Sequence, residues 1–124
     1  MQITRLYSGE DGESHFEDIE ISLEDAGDIG RLSEREDATG IVFRETGPDY
    51  DYDWHNAPRR QYIIMLDGAV DVEISDGTVR RFGTGDVLLA EDTTGRGHKS
   101  RAVDNKPRKS VFVTLDEFQV VGEL

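Results

Sequence analysis

The stretch from Val70 to Phe82 constrains this chain more than any other. Val70, Val72 and Ile74 alternate with Asp71, Glu73 and Ser75, Asp76-Gly77 interrupts the pattern, and Thr78 to Phe82 follows as a return segment. Alternation with period two marks a half-buried strand. An Asp-Gly pair between two such runs predicts a hairpin, because both central residues of a type I′ turn need positive φ. Tyr62 to Leu66 is a short continuous apolar run closed by Asp67-Gly68, and Val87 to Ala90 is another behind Gly83 and Gly85. Gly40 to Thr46, Tyr50 to His55, Gly97 to Val103 and Ser110 to Leu115 complete the set of predicted strands. Short strands at spacings near ten residues, with no helices between them, predict an antiparallel sandwich or barrel.

The segment from Ile21 to Thr39 fits this pattern least. Ile21, Leu23, Ala26, Ile29 and Leu32 trace a helical stripe, but Gly27 and Gly30 would each cost about 1 kcal/mol inside a helix. It reads as one strand running into an irregular acidic loop. No linker or repeat divides the 124 residues, which is one domain's worth of chain. The absence of cysteine excludes disulfides, thiolate metal sites and a thiol nucleophile. Twenty-seven Asp and Glu against fourteen Lys and Arg give a net charge of −13. Such a field repels phosphate, so neither nucleic acid nor an anionic membrane is an expected partner. The same acid-rich, lysine-poor composition fits adaptation to high salt and ordinary compositional bias equally. The N-terminus lacks a signal-peptide core, and no stretch approaches the roughly 18–20 apolar residues that span a bilayer. The expectation is a soluble, cytoplasmic chain.

The run His55-Asn56-Ala57-Pro58-Arg59-Arg60-Gln61, followed by six residues to Gly68, resembles the first cupin motif, G-x5-H-x-H-x3/4-E-x6-G. Gly85 to Ala90, then Glu91 to His98, is similar to the second, G-x5-P-x-G-x2-H-x3-N, with sixteen residues between Gly68 and Gly85 holding the hairpin. The resemblance covers roughly Gly40 to Asp116. It implies an all-β double-stranded β-helix, a jelly-roll or cupin barrel in a single domain. Residues 40–116 would form the barrel core, 1–39 would supply N-terminal strands and the acidic loop packing on it, and 117–124 would be a C-terminal tail. It also implies a homodimer.

The departures from the motifs bear on chemistry. The family's usual metal ligands are two histidines and a glutamate from the first motif and a histidine from the second. Carried over position by position, these become His55, Ala57, Gln61 and, allowing two extra loop residues, His98, while Glu91 replaces the motif proline. The implied cofactor is a divalent transition metal (Zn, Fe, Mn, Ni or Cu), held by His55, Gln61 and His98. An amide is a weaker ligand than a carboxylate, so the metal would be bound loosely. Strand parity aims His55, Gln61, Ile63 and Met65 at one face. It also favours Arg59 over its neighbour Arg60 as the inward guanidinium that would orient a substrate carboxylate. Glu91 and Asp92, at the expected cavity rim, are candidate catalytic acids or bases. Tyr50, Tyr52 and Trp54 have the opposite parity to His55, which predicts an outward or interface role. His15 matches neither motif and reads as structural.

The leading expectation is therefore a small metal-dependent cupin acting on a compact carboxylated or hydroxylated molecule, by decarboxylation, isomerisation, dehydration or oxygen insertion. The rival is a non-catalytic ligand-binding or sensory cupin that has lost its metal, which Ala57 and Gln61 favour.

Overall fold

The computed structural model describes residues 1–116; the expected tail at 117–124 lies outside the described residues. The strands are β1 (Gln2–Ser8), β2 (Ser14–Glu20), β3 (Glu24–Asp25), β4 (Arg31–Leu32), β5 (Gly40–Thr46) and β6 (Asp51–His55), then β7 (Gln61–Asp67), β8 (Ala69–Glu73), β9 (Val79–Gly83), β10 (Val87–Glu91), β11 (His98–Ala102) and β12 (Arg108–Thr114). Eight of them, β5 to β12, match the strands expected from the sequence to within two residues at each end. They form a six-stranded sheet, β2-β1-β10-β7-β12-β5, and a four-stranded sheet, β6-β11-β8-β9. All the pairings within these two sheets are antiparallel except β1 with β10.

The core sits between the sheets. Leu6, Met65, Val70, Val72, Ile74, Phe82 and Leu88 form one buried cluster, with Phe16, Tyr50 and Ile63 packed against it. A smaller cluster of Ile3, Leu89 and Leu115 lies on the opposite face of the six-stranded sheet, joined by Ile19, Ile21 and Tyr62. The N-terminal strands do more than pack on a barrel made by 40–116. β1 is hydrogen-bonded to β10 within the large sheet, and its Leu6 is fully buried.

Two local expectations are corrected. The segment from Ile21 to Thr39 does not contain one strand. It holds the two-residue strands β3 and β4, joined through a 3-10 turn at Gly27–Ile29, and every residue from Glu24 to Phe43 is exposed. Gly27 and Gly30 both adopt positive φ, which breaks any longer ladder. The hairpin at Asp76-Gly77 is not type I′, since only Gly77 has positive φ. Gly77 N donates to Ile74 O (3.0 Å), and the Asp76 carboxylate accepts from Thr78 N (2.8 Å), which holds Asp76 in a right-handed conformation. Among the described residues no helix is long and apolar enough to cross a membrane.

Candidate functional site

Between the sheets lies a cavity of about 380 Å³. Its wall is largely apolar, with Ile63, Met65, Val72, Phe82, Leu88 and Phe112 among the lining side chains. Register explains why these residues meet. Phe112 is opposite Ile63 and Ser110 opposite Met65 across β12 and β7, while Leu88 is opposite Ile63 on β10, so one inward row crosses three strands.

One end of the cavity is built by two histidines. His55 and His98 are directly paired across β6 and β11, with ring centroids 4.4 Å apart. The Nδ1 of His98 lies 2.6 Å from Asp92 Oδ2, and the same oxygen accepts from the Ser14 hydroxyl at 2.8 Å. The Nδ1 of His55 donates to the backbone carbonyl of Asp53 at 2.7 Å. Fixing the Nδ1 proton in this way leaves Nε2 of each neutral ring as the lone-pair nitrogen. Burial pushes the His55 imidazole below its ordinary pKa, outweighing the backbone hydrogen bond that would raise it, so the neutral form is favoured. Gly97 makes this pairing sterically feasible: it has φ +80°, and a Cβ there would overlap the His55 carbonyl.

The aromatic residues correct a parity argument. β11 advances two residues from His98 to Ser100 while β6 runs three, from His55 to Tyr52, so β6 carries a β-bulge. The extra residue puts Tyr52 and His55 on the same face, where their rings stack at 3.9 Å. Tyr50 also lines the cavity, its hydroxyl 2.7 Å from Ser100 Oγ. Trp54 alone keeps the outward orientation, beneath Lys99.

Of the residues singled out from sequence, His55, His98, Gln61, Arg59, Ile63 and Met65 all line the cavity, and Gln61 is buried. Arg60 and Glu91 do not. Glu91 is held by Arg5 through one oxygen and by Arg60 through the other, and this bridge ties β1 to β10 and the segment entering β7. Both carboxylate oxygens are taken up by guanidiniums and the residue does not line the cavity, so Glu91 is a structural anchor rather than a rim acid or base. Asp92 is not at the rim either. It is fully buried behind His98, because the chain turns inward where Ala57 N donates to Asp92 O. Its reach ends at the Nδ1 of His98, which makes it an orienting group. His15 is ion-paired with Asp11 on β2, away from the cavity.

A second polar part of the cavity lining escaped the sequence reading. Arg44 and Arg108 form it, from β5 and β12. Their guanidinium carbons lie 5.5 and 5.0 Å from the ring centre of Tyr50. Neither residue falls in a motif, and an arginine near a strand end ordinarily reads as solvated. The alternation Val42, Arg44, Thr46 is the one signal that could have placed Arg44 inward.

The donor set tests the implied metal. His55 and His98 offer two imidazole nitrogens and Gln61 one amide oxygen, while Asp92 is turned behind His98. Among the described residues no group of three or more His, Asp or Glu side chains is placed to share an ion. A protein zinc site of the catalytic type uses three such ligands, and the guanidiniums of Arg44 and Arg59 on the same cavity would repel a dication. These residues do not fit a tightly held resident metal.

No family model and no curated protein matches this sequence. Solved structures do resemble it. A putative ethanolamine utilization protein Q from Salmonella typhimurium aligns over 94% of this chain and 97% of its own, at 10% identity and a TM-score of 0.50. The cupin domain of Cnp3 from Schizosaccharomyces pombe aligns over 93% and 84%, at 12% identity and a TM-score of 0.50. A Cupin 2 conserved barrel domain protein from Salinispora arenicola aligns over 61% of each chain, at 20% identity and a TM-score of 0.49. At these identities the likeness concerns the fold.

Proposed function

From the double-stranded β-helix fold of a small cupin, we propose that this chain is a small-molecule-binding protein whose cavity takes a compact organic ligand without a resident metal. The ligand has a hydrocarbon body against Ile63, Met65 and Phe112 and an oxygen-bearing end near His55, His98 and Gln61. The carrying observation is the combination of a largely apolar wall with two oriented imidazoles and, among the described residues, no carboxylate lining the cavity. Concave, mostly apolar cavities with a few convergent polar groups are the usual form of such sites. A volume of about 380 Å³ suits one compact molecule, not a polymer.

A second reading, proton-transfer catalysis in the same cavity, is favoured by the Asp92–His98 pair. A carboxylate on Nδ1 orients an imidazole and supports its cationic form during proton transfer. It makes His98 the group to substitute first in any assay for turnover.

Thermal shift tests the binding reading on chelator-treated protein, using compact alcohols, amides and acids with and without added Zn, Mn or Ni. A ligand at a hundredfold excess over its Kd stabilises by about 2.7 kcal/mol. Equal shifts with and without metal are expected. Shifts that appear only when metal is added would restore the metal-dependent reading.

A further inference from the structure

We propose that the Arg44–Arg108 end of the cavity is an anion subsite that takes the carboxylate of an organic acid. This rests on the cavity being a ligand site and adds the chemical class of what it holds.

The distribution of charge is the first argument. Seven of the eleven arginines (5, 35, 60, 80, 81, 96 and 101) have a carboxylate within ion-pair distance. Among the described residues Arg31, Arg44, Arg59 and Arg108 have none, and the last three line the cavity. The chain carries 27 acidic residues, yet among the described residues no Asp or Glu lines this cavity. Three of the four arginines without an ion-pair partner thus converge on one cavity.

Burial supplies the second. Arg108 is only 7% exposed, and its Nε has no hydrogen-bond partner among the described residues. Thr46 Oγ1 and Ser110 Oγ are likewise buried without partners. Thr46 is directly opposite Arg108, and Arg44 directly opposite Ser110, so all four side chains share one face of β5 and β12. Asp92 Oδ1 is the remaining buried unpartnered atom among the described residues, and of the four residues concerned only Arg108 lines the cavity. Buried polar groups are almost always satisfied, and each orphan carries a desolvation penalty. A buried guanidinium nitrogen without a partner, beside a second guanidinium, is complemented by an acceptor bearing negative charge.

Shape selects the carboxylate. A guanidinium fork matches a planar carboxylate, and the Tyr50 ring beside both arginines holds their planes. The adjoining wall of Met65, Val70 and Phe112 is apolar, which fits an acid with a hydrocarbon body.

The test is isothermal titration calorimetry at 150 mM salt with benzoate, benzamide and inorganic phosphate, on wild type, R108M, R108K and R44M. Benzoate should bind wild type at least tenfold more tightly than benzamide. R108M and R44M should each lose that preference while holding benzamide within twofold, and R108K should retain part of it. Should R108M fail to fold, R44M and R108K carry the comparison. Equal, measurable binding of benzoate and benzamide to wild type would overturn the anion subsite and leave the cavity's ligand role standing. No binding of either would overturn both readings. Phosphate binding through these arginines with benzoate inert would overturn the assignment to an organic acid.

Discussion

Asp92 Oδ2 is shared between Nδ1 of His98 at 2.6 Å and the Ser14 hydroxyl at 2.8 Å, at a site with no solvent exposure for the aspartate. One oxygen thus ties β2 to the strand that presents His98. Asp92→Asn keeps the volume and one shared acceptor oxygen, but it removes the charge that strengthens both bonds and puts an NH2 group where the buried Oδ1 has no partner. It should destabilise the fold by about 1–3 kcal/mol in urea unfolding. Asp92→Ala should cost more, because it adds a cavity. An Asn variant as stable as wild type would mean that this buried contact contributes no net stability.

Gly97→Ala should be among the most damaging small substitutions. It combines a positive φ with overlap onto the His55 carbonyl, so β6 and β11 must separate where the two histidines pair. A loss of about 2–4 kcal/mol is expected. Histidine side-chain NMR shifts should move for His55 and His98 and stay fixed for His15.

Glu91→Gln separates anchoring from chemistry. It removes the charge that holds Arg5 and Arg60, all three being partly buried. Stability should fall by about 1–2 kcal/mol. Ligand affinity measured calorimetrically should stay within twofold, since Glu91 does not line the cavity. A tenfold loss of affinity would return Glu91 to the site.

Asp71 sets a pH dependence. Its hydrogen bond to Arg81, across β8 and β9, lowers the carboxyl pKa below its ordinary 3.8, against a smaller opposing effect of burial. A depressed carboxyl pKa contributes stability that is fully present above the unfolded value and lost as pH falls through the folded value. The urea midpoint should therefore decline below about pH 4, and Arg81→Gln should make that decline shallower. Identical acid limbs in both proteins would contradict the assignment.

The parts of the fold that were legible in sequence are those where pattern and packing are local. The alternation from Val70 to Ile74 and the apolar run from Tyr62 to Leu66 each describe a strand with one surface or both against the core. β1 was not resolved as a sheet strand, because its partner β10 lies more than eighty residues away and its Ile3 and Leu6 are buried on opposite faces. His55, His98 and Gln61 were found because motif spacing preserves them. Tyr52 was misplaced because a bulge leaves no compositional trace. Arg44 and Arg108 were missed because their lack of counter-ions is a property of three dimensions. Glu91 and Asp92 stand next to each other in sequence, yet one is clamped by two arginines and the other is sealed behind an imidazole.

The bulge in β6 also sets how this cavity could change over time. Removing one residue between Tyr52 and His55 would leave the two rings two positions apart on an even ladder, both still on the inner face. The residue left between them would oppose Lys99 and face outward, as Trp54 does now. A single-codon deletion there would therefore regularise the strand and spare the aromatic wall. In this barrel, that stretch of β6 is a place where chain length can drift over generations without altering what a ligand meets.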